Sequence, residues 1–128
     1  MIAERAGHRC EYCRLPTEGQ VTRFPVDHIL PRAGGGATLF ENLALACPHC
    51  NAYKWCHVCS IDVETGDKVS LFNPRTQIWS EHFGFMGHDQ SLVEGTTPCG
   101  RATVDRLRMN QPLVVAARVL LIALGRFP

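Results

Sequence analysis

The residues best able to do chemistry lie in the first 55 positions of a 128-residue chain. Cys10-x-x-Cys13 and Cys47-x-x-Cys50 are two cysteine pairs of equal spacing, separated by 33 residues. A two-residue spacer lets both thiolates of a pair face one ion, and four thiolates suit a tetrahedral Zn²⁺ at about 2.3 Å. Such a set fills the coordination sphere. The ion it holds is therefore structural, clamping the N-terminal segment to whatever element carries the second pair. Thiol redox chemistry is the competing reading of Cys-x-x-Cys, but a redox motif needs no second, matching partner.

Between the pairs run Val26-Asp27-His28-Ile29-Leu30-Pro31-Arg32, then Gly34-Gly35-Gly36, then Glu41-Asn42, with Asn51-Ala52-Tyr53-Lys54 following the last cysteine pair. A carboxylate and an amide oxygen suit a hard divalent cation, and Asp27 and Asn51 supply them. His28 follows Asp27 on an extended stretch, so its side chain leaves on the opposite face. It can sit beside the metal without ligating it and take a proton from a water attacking phosphorus. Imidazole suits that task near neutral pH. Asn42 carries both a carbonyl and an NH₂ and can bind loop backbone, orienting His28 indirectly. Lys54, three residues after Asn51, falls on the same side of a helix and is expected at a phosphate, with Arg32 and Arg75 in similar roles. The plainer readings are a turn residue for Asn42, a helix cap or surface amide for Asn51, and solvated charge for Lys54.

Taken together these residues resemble the HNH endonuclease family, in particular a subgroup reading Arg-Cys-Glu-Tyr-Cys, Val-Asp-His-Ile, a Gly-rich loop, Asn-Leu-Ala-Leu-Ala-Cys and Cys-Asn-x-x-Lys. Asn51 stands where the family name has its final His. The resemblance implies a ββα-metal (His-Me finger) core with structural zinc at Cys10, Cys13, Cys47 and Cys50. It implies one catalytic Mg²⁺ or Mn²⁺ on Asp27 and Asn51, His28 as general base and Asn42 as loop organiser. The implied reaction is hydrolysis of DNA phosphodiesters, with double-stranded DNA as the expected partner, and a homodimer is compatible with cutting both strands. Similarity continues through Ile61-Asp62, Leu71-Phe72-Asn73-Pro74-Arg75, Trp79-Ser80-Glu81-His82-Phe83 and Gly100-Arg101-Ala102-Thr103. It breaks at Trp55-Cys56-His57-Val58-Cys59, where the subgroup carries Gly, Pro and small residues. This third cysteine pair is expected to be ordinary small residues in a divergent turn, since two thiols and one imidazole make an incomplete site. Cys99 is expected to be inert. A zinc-stabilised nucleic-acid- or protein-binding module without catalysis is the alternative function.

These side chains need elements to position them. The expected order is a short helix over 1–7, a strand over 24–30 closed by Pro31, a glycine loop, a strand over 43–46, and a helix opened by Pro48 that carries Asn51 and Lys54. Glu64-Thr65-Gly66-Asp67 reads as a hairpin turn, residues 78–85 and 90–94 as strands, and the alternating Trp79, Phe83 and Phe85 as the inner face of a half-buried strand. Thr97 and Pro98 open a helix through residue 109, and a second helix ends at Gly125. The fold class is α+β, a single domain over 1–128. Its zinc-clamped ββα core spans 1–60, and β-hairpins and a C-terminal helical pair occupy 61–128.

Composition bounds the rest. With 45% hydrophobic residues and a net charge of +1, the chain is neither disordered nor polycationic. Eleven of its thirteen cations are Arg, the residue suited to bidentate phosphate contact. Residues 1–9 lack the apolar core of a secretory signal. The most apolar stretch, 113–124, is interrupted by Arg118 and falls short of the roughly 20 residues a membrane span needs. No membrane partner is expected, and an odd cysteine count without an export signal points to a reducing, cytoplasmic setting.

Overall fold

A computed structural model describes residues 1–128. Helix α1 (Ile2–Arg5) leads into the first cysteine pair, and strand β1 (Val26–His28) then pairs antiparallel with β2 (Leu43–Leu45). The register sets Val26 opposite Leu45, Asp27 opposite Ala44 and His28 opposite Leu43. Helix α2 (Pro48–Lys54) starts directly after β2, and Cys47 is its N-cap, its Sγ accepting from the Cys50 N–H. Pro48 in the first turn forfeits no helix hydrogen bond, because that N–H has no partner in any helix.

Two hairpins follow, β3 (Cys59–Ile61) with β4 (Lys68–Ser70) and β5 (Phe83–Met86) with β6 (Leu92–Gly95). The first turns through Thr65, whose hydroxyl donates to Asp62 Oδ2 at 2.8 Å. Helix α3 (Pro98–Arg106) is capped by Thr97, whose hydroxyl accepts from the Gly100 N–H at 3.0 Å. Helix α4 (Pro112–Ala123) buries Val114, Arg118 and Leu121 and leaves Leu113 and Leu120 exposed. The chain is thus a mixture of helices and small antiparallel sheets, an α+β composition. No helix is long and apolar enough to cross a membrane.

Two expected strands differ in extent. Over 24–30 only Val26–His28 is regular, although Ala46 N–H to Pro25 O and Ile29 N–H to Asn42 O carry bonding past both ends. Over 78–85 the strand begins only at Phe83, and Trp79–Glu81 is a single 3-10 turn. The cause is tertiary. The Trp79 indole N–H donates to Tyr12 O in the N-terminal knuckle at 2.7 Å, and the ring stacks on Phe83 of β5 with centroids 5.1 Å apart.

The core joins both halves of the chain. All four cysteines of the first two pairs are buried in one cluster with Phe24, Phe72, Phe83, Leu107, Met109, Leu121 and Phe127. Residues 61–128 are also tied in by polar contacts. Arg101 grips the fully buried Asp62 through Nε and Nη2 at 2.9 and 3.0 Å, and Phe72 N–H donates to Thr103 Oγ1 at 2.9 Å. His82 Nδ1 lies 2.7 Å from the Thr97 hydroxyl, joining the start of α3 to the segment before β5.

Candidate active site and metal centre

Cys10, Cys13, Cys47 and Cys50 are fully buried, with their sulfurs all within 4.8 Å of one another. Within each pair the later N–H donates to the earlier sulfur, Cys13 to Cys10 at 3.5 Å and Cys50 to Cys47 at 3.3 Å. Burial opposes charge on Cys10, but donation from the Cys13, Cys47 and Cys50 thiols holds it well below the ordinary thiol range. Contact with Cys10 pushes Cys13 and Cys50 up. A divalent cation in place of those shared protons satisfies all four sulfurs at once, and four thiolates are the donor set zinc prefers.

A second observation supports that fit. Arg118 is wholly buried with no carboxylate partner. Its Nε donates to Ser91 O at 2.5 Å and its Nη2 to Met109 O at 2.6 Å and Asn110 Oδ1 at 3.1 Å, while Nη1 has no partner. Burial lowers its pKa, and the nearby Cys13, Cys50 and Cys47 sulfurs, when charged, raise it. The turn at Arg108 and Met109 bridges the two sites, since His49, inside the second cysteine pair, hydrogen-bonds Arg108 O at 2.8 Å. Four thiolates around one divalent ion leave net negative charge, and the Arg118 guanidinium, which has no carboxylate partner, is a buried cation close enough to couple to three of those sulfurs. Cys56, His57 and Cys59 are not drawn into a metal-sized cluster. Cys56 is exposed, and His57 Nε2 lies 3.4 Å from Arg106.

Asp27, His28, Arg32 and Asn51 line one pocket of about 240 Å³, walled by Val26, Pro31 and Trp55. Strand β1 supplies Asp27 and His28, and α2 supplies Asn51. Asp27 is buried and His28 half-buried, as alternation along a strand requires. Asp27 Oδ2 accepts from Tyr12 Oη at 2.7 Å and Lys54 Nζ at 3.0 Å. Both donors take the same oxygen, and Oδ1 carries no hydrogen bond. Burial, then the Asp27 charge, pushes the Tyr12 hydroxyl well above its ordinary range, so it remains a donor. Asp27 Oδ1 and the Asn51 amide fit a hard divalent cation.

His28 Nε2 lies 2.9 Å from Thr38 Oγ1. Thr38 is held there by Asn42, whose Oδ1 accepts from Leu30 N–H at 2.9 Å and whose Nδ2 donates to Leu30 O at 3.0 Å and Ala37 O at 2.8 Å. The loop also presses Gly36 onto the Leu30 carbonyl so closely that a Cβ there would sit 1.7 Å from its oxygen. Asn42 therefore braces the loop that carries Thr38 and makes no hydrogen bond to the imidazole.

Two expected phosphate contacts are turned elsewhere. Lys54 is 1% exposed and spends its ammonium on Asp27 and on the carbonyls of His28 and Ile29 at 3.3 and 3.2 Å. Helical spacing placed it on the Asn51 side of α2, but that side faces the interior at its last turn. Arg75 is ion-paired with the buried Glu11, which also accepts from Leu45 N–H at 2.9 Å. Arg32 alone of the three stands exposed at the pocket.

The order of these parts, cysteine pair, Asp-His strand, Asn-braced loop, second cysteine pair and Asn-bearing helix, is continuous in sequence. Residues 10–54 match the HNH endonuclease family. The matching segment thus begins at Cys10 and ends at Lys54, taking in both cysteine pairs, Asp27, His28 and Asn51, and the loop between them. No curated protein and no solved structure matches the chain.

Proposed function

We propose that the protein is a metal-dependent HNH endonuclease that hydrolyses DNA phosphodiester bonds, built on a ββα-metal core with a structural zinc on the cysteine quartet and a C-terminal helical pair packed beside it. The observation that carries the reading is the convergence of Asp27, His28, Asn51 and Arg32 on one pocket. Asp27 Oδ1 and the Asn51 amide would hold a Mg²⁺ or Mn²⁺, which supplies Lewis-acid stabilisation of charge on the phosphoryl oxygens.

The chain's own residues do the rest. A neutral imidazole has one N–H, and donating it from Nε2 to Thr38 leaves the lone pair on Nδ1 to take a proton from the attacking water. The hydroxide so formed attacks phosphorus in line with the departing 3′ oxygen. Lys54 and Tyr12 fix the Asp27 carboxylate in position. Arg32 is free to engage a neighbouring phosphate.

The alternative, a zinc-stabilised binding module without catalysis, draws on one observation: Asp27 is only 4% exposed and already ion-paired. Incubation of supercoiled plasmid with purified protein, with and without Mg²⁺ or Mn²⁺, separates the two. Nuclease action predicts metal-dependent nicked or linear product, abolished in Asp27→Ala and strongly reduced in Asn51→Ala. Plasmid retarded but uncut under every condition supports the binding module. A monomer should nick, and linear product from single encounters would point to a homodimer.

A further inference from the structure

Trp55 is one of five non-glycine residues at positive φ, and the one of them that lines the pocket of Asp27, His28 and Asn51. It follows Lys54, whose side chain turns inward, and caps α2 with φ 47° and ψ −117°. A bulky L-residue rarely adopts positive φ, and such strain persists where something other than local preference selects it. The residue is also 73% exposed, and its one aromatic neighbour is His57, with ring centroids 6.0 Å apart. Trp79 shows what packing does with the same side chain here: its N–H is bonded and its ring stacked on Phe83. Trp55 N–H closes the last turn of α2 on Asn51 O at 3.0 Å, but its ring is left unburied at the cost of a positive φ.

The ring's position supplies the missing reason. It walls the pocket that holds Asp27, His28 and Asn51, with Arg32 on the same rim. A broad aromatic face and a cation beside hydrolytic groups suit a planar ring joined to a phosphate. We propose that Trp55 is a stacking platform for an unpaired nucleobase beside the scissile phosphate, so that the favoured substrate is single-stranded or locally opened nucleic acid. This rests on the nuclease reading of the pocket. Bases within an intact duplex already stack on one another and offer no face to the indole, whereas an unpaired base of any identity does. The site should therefore discriminate by strandedness and little by sequence.

Trp55→Gly and Trp55→Phe test this with opposite demands on stability and binding. Glycine adopts positive φ freely, so Trp55→Gly should melt at the wild-type temperature or above it. Its affinity for a labelled single-stranded oligothymidine, read by anisotropy in a His28→Ala background with Mg²⁺, should fall about tenfold or more. Trp55→Phe should recover most of that loss. In the cleaving protein the Trp55→Gly change should raise KM for the same strand and leave kcat within a few fold. Oligothymidine should also quench the indole fluorescence of wild type, and Trp55→Phe should remove the quench.

Unchanged oligothymidine affinity in Trp55→Gly, a marked fall in its melting temperature, or equal affinity of wild type for the duplex form would each overturn the proposal. If wild type cleaves plasmid while Trp55→Gly binds the single strand normally, the stacking role fails and the nuclease reading stands. If wild type neither binds nor cleaves any nucleic acid, both fail.

Discussion

Lys54 Nζ lies 3.0 Å from Asp27 Oδ2, and the two side chains are 2% and 5% exposed. Asp27 lines the candidate pocket, whereas Lys54 lines a separate cavity with Ile29 and Leu30. The ion pair joins the last turn of α2 to the middle of β1, so the helix carrying Asn51 is fixed to the strand carrying Asp27 and His28. Removing one partner strands the other charge in the interior, a change that typically costs about 3–5 kcal/mol. Lys54→Met should therefore lower stability by roughly that amount in denaturant titration. Wild-type stability with weakened DNA affinity would instead return Lys54 to the phosphate-contact role its spacing suggested.

Asn42 makes three hydrogen bonds to the loop that delivers Thr38 to His28. The loop is exposed, so water can replace part of what Asn42→Ala removes, and the stability loss should be about 1–2 kcal/mol. Cleavage should suffer more than stability. Thr38→Val, which removes the hydroxyl and keeps the shape, should slow cleavage about tenfold with little change in melting temperature, the loss of one modest hydrogen bond. A Thr38→Val protein as active as wild type would mean that the 2.9 Å contact does not orient His28.

The cysteine quartet predicts one zinc ion per chain, since it is the single metal-sized cluster of such ligands. Stripping it with a strong chelator should unfold the protein cooperatively. Arg118→Met should speed zinc transfer to a chromogenic chelator, and Arg118→Lys should restore part of the retention, because both Arg and Lys supply positive charge where the hydrogen-bond partners are neutral. Transfer rates identical in wild type and Arg118→Met would show that the guanidinium does not balance the thiolates. Two zinc ions per chain by elemental analysis would bring Cys56, His57 and Cys59 back as ligands.

Acid should loosen the attachment of α3. Arg101 holds the Asp62 carboxyl well below the usual carboxylate range, helped by the Thr65 hydroxyl and the Glu64 N–H. A folded pKa below the unfolded one means the contact's full contribution is present above about pH 4 and is lost as pH falls further toward the folded value. The melting temperature of wild type should exceed that of Asp62→Asn at pH 7, and the gap should narrow steadily below pH 4. A gap that stays constant down to pH 2 would assign the Asn effect to shape alone.

The pocket was legible because its chemistry is local in sequence. Asp27 and His28 are adjacent, Asn51 follows a cysteine pair, and proline and cysteine mark where α2 must begin. What spacing cannot show is which way the end of a helix faces, and Lys54 turned inward where its neighbour Trp55 turned out. Tyr12 carried no signal either. It sits inside a cysteine pair and reaches Asp27 only because β1 and the knuckle share one core. Thr38 was one polar residue in a glycine loop, and only the Asn42 bonds bring it to the imidazole. The aromatic alternation at 78–85 looked like a strand, but Trp79 finds Tyr12 and Phe83 by leaving the strand. Arg118 interrupted an apolar run and gave no hint that its charge lies buried within reach of the cysteine quartet's field.

The central claim is that His28 is the base for phosphodiester hydrolysis. The most direct test is the single-turnover rate of plasmid cleavage in Mg²⁺ or Mn²⁺ by His28→Ala and wild type, matched for zinc content and melting temperature. Loss of a general base predicts a fall of about 10²–10⁴-fold with plasmid binding preserved. Equal rates in the two proteins would contradict it.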